Sequence, residues 1–502
     1  MQEGNKEFLQ REGVTFPGKT YADCTLQHIF YFQRDYLLED MFRIHHAHVI
    51  MLEEEGLLKK QDAKKIIMAV EKVKALPLDK FEYSKEYEDL FFLVEHLIQK
   101  EADSDSISNM HIGRSRNDMG VAMYRMSLRR FLLRYIDHFM LLQEAILARA
   151  EEHMETIMPA YTHTQPAQPT TFGHYLLAIF DMMGRDAERL WSAYNVVNQS
   201  PLGAAALATT SFPINRKRVA DLLGFAKVIE NSYDAIASAD CLLETSSALM
   251  IMMTNTSRWL QDFLLLATKE YSGITVADPY VQISSIMPQK RNPVSIEHAR
   301  SLSSSILGEA FTVFQMIHNT PFGDIVDTED DLQPHLYEGF EKAIRVVSVM
   351  NAVVRTMTIE KDILQSRANR HAITITELAD SLTRKYDVPF RRAHNAASYI
   401  AKFSEKQKKD LHELNLADIN EYLQEELQVV LAEEEWKEMI SPHSFVAKRN
   451  VYGGPSCEQM QRMIRERKEN IVRQEQTLEN VKKKLSEAET EVNTIVTAIV
   501  NS

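Results

Sequence analysis

The placement of proline constrains the fold of this chain more than any other sequence feature. The 502 residues include fifteen prolines, yet none falls within residues 78–158, 214–278 or 335–388. Proline removes a backbone N–H and clashes with the preceding helical turn, so it breaks helices more reliably than other residues do. The three proline-free stretches therefore permit very long helices.

Apolar residues in the first of these stretches recur at alternating spacings of four and three. They are Leu128, Leu132, Tyr135, Phe139, Leu142 and Ile146. This spacing places them on one face of a helix, for which Asn117 or Asp118 is the predicted cap. Similar stripes cover residues 172–193, 236–267 and 296–317, whereas alternating strand patterns are scarce. We predict an all-α fold built around a bundle of long helices.

The charge balance and the cysteines restrict the partners and the compartment. A formal charge of -14 gives no general attraction to nucleic acid or to an anionic membrane, so small molecules or copies of the chain itself are the expected partners. The sequence has no signal peptide pattern and no run of about 18 apolar residues. Its three cysteines lie far apart without a CxxC pair, which favours a cytoplasmic protein without disulfides.

A polar loop is predicted at residues 284–293. Ser284 and Ser285 precede a proline there, and Gln289, Lys290, Arg291 and Asn292 follow it. A helix restarts after this loop, with Glu297 near its first turn. On these residues alone, the segment is either a solvated loop that caps a helix or a loop that binds a ligand.

Two further polar segments adjoin predicted helices. In residues 161–171, His163 lies among prolines and threonines, as either a structural residue or an acid/base group. Residues 111–118 contain a guanidinium, a hydroxyl and an amide before a helix, and such groups can fork onto a carboxylate. An arginine-rich capping segment between two domains would contain the same residue types. The segment's candidate binding residues are Arg114, Ser115, Arg116 and Asn117.

These segments together resemble a known family. Residues 284–293 resemble the signature Ser-Ser-x-Met-Pro-x-Lys-x-Asn-Pro of the fumarase and aspartase superfamily, with Gln289 as in many argininosuccinate lyases. Residues 161–169 are similar to its Tyr-Thr-His-x-Gln-x-Ala-Gln-Pro motif, and residues 113–118 to the Gly-Arg-Ser-Arg-Asn-Asp segment of argininosuccinate lyases. Residues 389–394 and 446–454 resemble the C-terminal domain of that family. The chain is identified as a member of the argininosuccinate lyase family.

The resemblance implies a fumarase/aspartase-type subunit of three domains. These are an N-terminal helical domain over residues 1–112, ending in the carboxylate-binding segment, a central bundle over 113–363 and a small helical domain over 364–454. Residues 455–502 form an extended C-terminal helix with apolar residues every seven positions. This helix either packs on its own domain or forms a coiled coil with a partner. The heptad residues are Ile464, Ile471, Leu478, Leu485, Val492 and Ile499.

The resemblance also implies a reaction, the elimination of fumarate from an N-substituted aspartate without a metal or another cofactor. Ser284 would be the base, activated by Lys290, and His163 would protonate the departing nitrogen while Glu297 orients it. Lys290 and Asn292 would stabilise the dianion. Thr162, Gln289, Gln333 and residues 114–117 would bind the substrate. In this family, the site is shared between subunits of a homotetramer.

Several positions depart from the family pattern. Ile283 replaces a glycine before the paired serines, and the family's Tyr-Asn-x-Asp-Leu-Gln-x-Asp-Lys becomes residues 328–336, which keep Gln333 but lose the tyrosine and the lysine. Loss of polar groups that grip a substrate favours a different substrate, so the N-substituted aspartate stays open. A non-catalytic, crystallin-like scaffold is the alternative function. The other departures are Tyr31, Phe91, Met119 and Ala239.

Overall fold

A computed structural model of the protein describes residues 2–102 and 105–501. Helices dominate it, as predicted. The helices of the N-terminal part are α1 (Gln2–Glu12), α2 (Lys19–Tyr21), α3 (Gln27–Tyr36), α4 (Leu38–Glu54), α5 (Lys60–Lys74) and α6 (Leu90–Ala102). A π-helical turn (Ala22–Leu26) and two 3-10 turns (Leu78–Lys80 and Asp105–His111) connect them.

Five long helices form the central bundle. They are α7 (Arg116–Glu152), α8 (Phe172–Val197), α11 (Asp240–Leu266), α12 (Val294–Ile317) and α13 (Gln333–Thr356). The short helices α9 (Arg216–Leu222) and α10 (Ser232–Ala237) lie between α8 and α11 in the chain. The predicted stripes thus correspond to observed helices. The six apolar residues predicted to share one face of α7 are all buried.

The C-terminal part is also helical. Its helices are α14 (Lys361–Ala368), α15 (Ile375–Tyr386), α16 (Phe390–Gln407), α17 (Leu416–Leu427), α18 (Glu433–Ile440), α19 (Pro442–Ala447) and α20 (Cys457–Asn501). Residues 378–439 bury an apolar cluster separate from that of the bundle. The boundaries of the four segments stay a prediction.

Short two-stranded sheets lie at the connections between helices. The pairs are β1 (Ile157–Thr162) with β2 (Gln165–Thr171), β3 (Gln199–Ser200) with β4 (Lys227–Val228), β5 (Ile274–Thr275) with β8 (Thr358–Ile359), and β6 (Gln282–Ile283) with β7 (Arg291–Asn292). The β3–β4 pair is parallel and the others are antiparallel. These strands fix the loops at the ends of the bundle.

The long tail helix α20 packs on its own chain. Five of the six heptad residues are buried and Leu485 is half-buried, and the helix lies against α4, α5, α7, α8 and α9. Arg467, a poor residue for a coiled-coil core, instead holds both carboxylate oxygens of Asp181, at 2.9 and 2.7 Å. Of the two interpretations of the heptads, the structure thus supports the one in which the tail is a surface helix that packs on its own chain.

The described part of the chain includes no helix that combines the length and the apolar character needed to cross a membrane.

Candidate active site

The segment before α7 is built around a capping box. The hydroxyl of Ser115 accepts the Asn117 N–H, and Oδ1 of Asp118 accepts the Ser115 N–H at 2.9 Å. The prediction that Asn117 or Asp118 caps the helix was therefore wrong, because Ser115 occupies the N-cap and Asp118 completes the box from inside the first turn. Gly113 precedes it with φ +69°, a left-handed conformation that suits glycine.

Asp118 also ties this segment to a distant loop. Its Oδ2 accepts the backbone N–H groups of Gly203, at 2.9 Å, and Ala205, at 3.0 Å. Burial raises the pKa of Asp118 to about 6, although the three N–H groups favour its charged form. Sequence reasoning had considered this residue only as a cap.

The guanidinium of Arg114 is buried among histidines. Its Nη1 lies 3.2 Å from Nδ1 of His45, and its Nη2 lies 3.1 Å from Nδ1 of His111. Burial lowers the pKa of Arg114 to about 10, and burial together with this guanidinium holds the pKa of His45 well below its usual range. Arg114 thus anchors the turn before α7 through its contacts with His45 and His111. Its predicted contact with substrate stays a prediction.

Arg116 and Asn117 are oriented towards carboxylates, as expected for residues that bind anions. Nη1 of Arg116 lies 3.0 Å from carboxylate oxygens of Glu88 and Asp89, and Nδ2 of Asn117 donates to Asp324. These partners belong to the chain itself. The same donors would serve a substrate carboxylate that displaced them.

Gln333 lies next to this segment. It is the first residue of α13, its side chain is fully buried, and its Nε2 donates to the carbonyl of Thr328 at 3.5 Å. Its side chain lines a small cavity together with Asp324, Thr328 and Glu329. The structure therefore brings Asn117 and Gln333 together around Asp324, with the charge of Arg116 nearby. Their binding of substrate stays a prediction.

His163 lies at the tip of the β1–β2 hairpin. It and Thr164 form the two-residue turn, with φ angles of 50° and 63°. A β-branched residue such as threonine adopts positive φ rarely and at a cost, and such strain clusters at functional sites. The side chains of Thr162 and His163 are exposed, so the hairpin presents them to whatever lies opposite.

The loop from Ser284 to Lys290 is held between β6 and β7. Oγ of Ser284 accepts the backbone N–H groups of Ile286, at 3.3 Å, and Met287, at 3.0 Å. Two N–H donors stabilise a negative charge on an oxygen. They therefore favour removal of the hydroxyl proton, which a serine base requires.

The other predicted groups of this region face solvent in the single chain. Gln289, Lys290 and Glu297 are exposed and Asn292 is half-buried. Glu297 lies in the first turn of α12, as predicted. Among the described residues, no hydrogen bond links Ser284 or these side chains to His163, so the groups predicted to act together are not hydrogen-bonded within one chain.

The length of α7 separates the two halves of the predicted site. This helix has 37 residues and is therefore about 55 Å long. Residues 114–117 lie at its N-terminus, from just before the N-cap into the first turn, whereas the hairpin with His163 follows its last turn and packs on α14. Strand β1 has six residues and reaches only about 20 Å, so it cannot return to residues 114–117.

The Ser284 loop lies at the His163 end of the bundle. Strand β5, shortly before the loop, pairs with β8, which directly follows α13. At the opposite end of α13, Gln333 lies with Asn117 and Asp324. A single chain therefore carries one half of the predicted site at each end of the bundle.

The histidines of α4 have partners within the protein. Nε2 of His46 lies 3.0 Å from Glu71, and Nε2 of His48 lies 3.0 Å from the carbonyl oxygen of Ile112. Within residues 2–102 and 105–501, no group of three or more His, Cys, Asp or Glu side chains is arranged to hold a metal ion.

Asp324 and Glu329 are neighbours of the binding segment that sequence reasoning did not include. The replacement of the family's asparagine by Glu329 could have indicated this carboxyl group. In residues 328–336, however, only the loss of the tyrosine and the lysine was interpreted. Contact between Asn117 and Asp324 joins residues 207 positions apart. No local pattern predicts such a pairing.

Comparison with known proteins identifies the family. A family model described as a lyase matches residues 34–308, and one described as the argininosuccinate lyase C-terminal domain matches residues 372–447. The chain is 39% identical to argininosuccinate lyase 2 of Agrobacterium fabrum, over 90% of each chain. It is 36% identical to the argininosuccinate lyase of Methanocaldococcus jannaschii, over 88% of this chain and 90% of that relative.

Solved structures share the fold. An EDDS lyase in complex with formate superimposes with a TM-score of 0.85 at 27% identity, over 95% of each chain. A fumarate lyase from a Mesorhizobium species superimposes with a TM-score of 0.71 at 16% identity, over 90% of this chain and 99% of that one, which shows the fold alone. The architecture is thus that of the fumarase and aspartase superfamily, as predicted.

Proposed function

This chain belongs to the argininosuccinate lyase family, and we propose that its substrate is an N-substituted aspartate, either argininosuccinate or another N-succinyl amine. The chain is a carbon–nitrogen lyase that releases fumarate. A variant of the structurally similar EDDS lyase has been solved with bound fumarate. Argininosuccinate and other N-succinyl amines all release fumarate, and they differ in the amine that is released with it.

The observation that carries the mechanism is the environment of Ser284. Its Oγ accepts two backbone N–H groups within its own loop, which stabilise the alkoxide needed to take a proton from the carbon beside a carboxylate. The electrons of that C–H bond form the double bond of fumarate as the C–N bond breaks. The charge that builds up on the carboxylate would be stabilised by Lys290 and Asn292 in the closed site.

The departing nitrogen needs a proton, and His163 is the proposed donor. Its position at a strained hairpin tip leaves the imidazole accessible, and Glu297 would orient the ring once the two come together. Thr162 and Gln289 would contact the substrate from these same loops. Arg116, Asn117 and Ser115 would bind a substrate carboxylate, and Gln333 the amine end, with Arg114 behind them.

The site needs more than one subunit. Because α7 holds residues 114–117 and His163 about 55 Å apart, these groups meet only if different chains contribute them. We propose a homotetramer in which each site takes its segments from several subunits. Tetramers of closed symmetry generate such shared sites from a single kind of chain.

The experiment is a fumarate assay in both directions. The purified protein is incubated with argininosuccinate, and separately with fumarate and a panel of amines, while fumarate absorbance is followed. Turnover with at least one substrate is expected, and it should fall by at least about 100-fold in Ser284→Ala and His163→Asn. No turnover with any substrate would favour a non-catalytic scaffold. Turnover that survives both substitutions would contradict the site assignment.

A further inference from the structure

The cavity beside Gln333 is small and lined mainly by hydrogen-bond acceptors at one end. Its volume is about 30 Å³, room for one or two water-sized groups, since about 10–15 Å³ of such volume is enough for one water molecule. A primary ammonium group is similar in size to a water molecule, whereas a guanidinium or a carboxylate is larger. The space therefore suits the end of an alkylamine chain.

Gln333 leaves an acceptor unused in this cavity. The residue is 0% exposed, and its Oε1 has no hydrogen-bond partner. A buried polar atom without a partner destabilises the folded protein. A ligand that brings an N–H donor to this atom would remove that destabilisation.

Two carboxyl groups line the same cavity as Gln333. Asp324 and Glu329 lie close enough to share a hydrogen bond. Asp330 adds a third carboxyl group behind them, where Gln33 and the hydroxyl of Tyr124 each donate to its Oδ1 at 3.1 Å. The hydrogen bonds of Asp330 are therefore provided by the protein, whereas the partner of Glu329 is another carboxyl group, that of Asp324.

The nearby guanidinium groups offset the charge of this cluster only in part, although Arg116 favours the charged forms of Glu329 and Asp330. Arg116 is bound by Glu88 and Asp89. Arg125 lines the cavity but donates to the carbonyl of Val196, at 2.8 Å. Carboxyl groups thus outnumber guanidinium groups around the cavity, and a bound cation would allow Glu329 to ionise.

The protonation of Glu329 also favours a cationic ligand in this cavity. Burial, the hydrogen bond with Asp324 and the charges of Asp324 and Asp330 raise the pKa of Glu329 well above its ordinary value, so that the free protein keeps a proton there. A bound cation would take the place of this proton.

We propose that the amine released by this enzyme is a linear diamine, whose second ammonium group binds between Asp324, Glu329 and Gln333. An ammonium has three N–H donors and no acceptor, which matches two carboxyl groups and the free Oε1. An amino acid such as arginine would bring a further carboxylate to a place where three carboxyl groups, Asp324, Glu329 and Asp330, already lie close together. This inference rests on the proposed function, because it names the amine of that reaction.

The test compares matched amines in the addition direction. Wild-type protein is given fumarate with a series of linear diamines, each paired with the monoamine of equal carbon number, such as putrescine with n-butylamine, and with arginine. The best diamine is expected to exceed its monoamine in kcat/KM by at least about tenfold, because a hydrogen bond to a charged group contributes that much. Arginine is expected to rank below it.

Substitution of Glu329 ties the preference to the cavity. In Glu329→Gln, the ratio of kcat/KM for the diamine over the monoamine is expected to fall by at least about tenfold. The control is Asp327→Asn, an exposed residue of the same segment, which makes the same carboxyl-to-amide replacement away from the cavity and should keep the wild-type ratio.

The outcomes separate the two proposals. If kcat/KM for the monoamines or for arginine equals that for the diamines, the diamine inference is overturned while the proposed function stands. If no amine and no N-succinyl compound is converted, the proposed function itself fails. An unchanged ratio in Glu329→Gln would also overturn the assignment of the cavity.

Discussion

Asn117 lies in the first turn of the 37-residue helix α7 and His163 lies beyond its last turn, so nearly the whole helix separates them. A helix of this length spans about 55 Å, and its buried apolar face leaves it no freedom to fold back. Each chain therefore has both groups and can never use both in one site.

This separation predicts complementation between two inactive variants. His163→Asn and Asn117→Ala are each expected to lose most activity as pure proteins. When the two chains are co-expressed with different tags and purified through both, about a quarter of the sites should combine intact segments from different chains, if subunits mix at random. The assay is fumarate release per site. Mixed protein no more active than its parents would show that one chain supplies both groups.

The carboxylate of Asp118 predicts a large effect on stability. It accepts three backbone N–H groups, from Ser115, Gly203 and Ala205. Asp118→Ala would leave these donors buried without acceptors, so the apparent free energy of unfolding in urea should fall by about 3 kcal/mol. Glu151→Ala on the same helix is the control, because its ion pair with Lys468 is exposed and should contribute at most about 1 kcal/mol. Equal losses in the two variants would exclude the proposed role of Asp118.

The tail helix predicts opposite outcomes for two adjacent residues. Ile471 is 8% exposed and Val472 is 48% exposed, because only the first faces the bundle. Ile471→Asp should lower the free energy of unfolding by at least about 2 kcal/mol. Val472→Asp should change it by less than about 0.5 kcal/mol. If the tail instead served only to contact a partner, both variants would keep the subunit's stability and alter its mass in solution.

The pKa of Glu329 predicts a stability that depends on pH. Since burial and the neighbouring acids raise this pKa above its ordinary 4.5, the folded chain holds the proton more tightly than the unfolded chain. The stabilising effect of that proton is complete below about pH 4.5 and is lost as pH rises through the raised pKa.

Glu329→Gln removes this titration. The melting temperature of the variant minus that of wild type should therefore be larger near pH 8 than near pH 5. Thermal denaturation of both proteins at about these two pH values measures this difference. Asp327→Asn again serves as the control for a change of surface charge. A melting difference that stays constant with pH would contradict the raised pKa.

The sequence was sufficient wherever a property depends on near neighbours in the chain. The stripe from Leu128 to Ile146 predicted the face that α7 buries, because helical geometry brings residues three and four apart onto one side. The segments around His163 and Ser284 were identified by their resemblance to family motifs, which are runs of consecutive residues. The heptads of the tail showed which face of α20 is apolar.

Tertiary structure decided what covers each of these faces. Arg467 meets Asp181 and Asn117 meets Asp324 across 286 and 207 positions of the chain, and such contacts depend on how the helices pack. Packing also buried Arg114 among histidines, left Oε1 of Gln333 without a partner, and placed His163 at the far end of α7 from Asn117. Local periodicity determines a helix and its apolar side, but the partner of that side is chosen by the long-range packing of the whole chain.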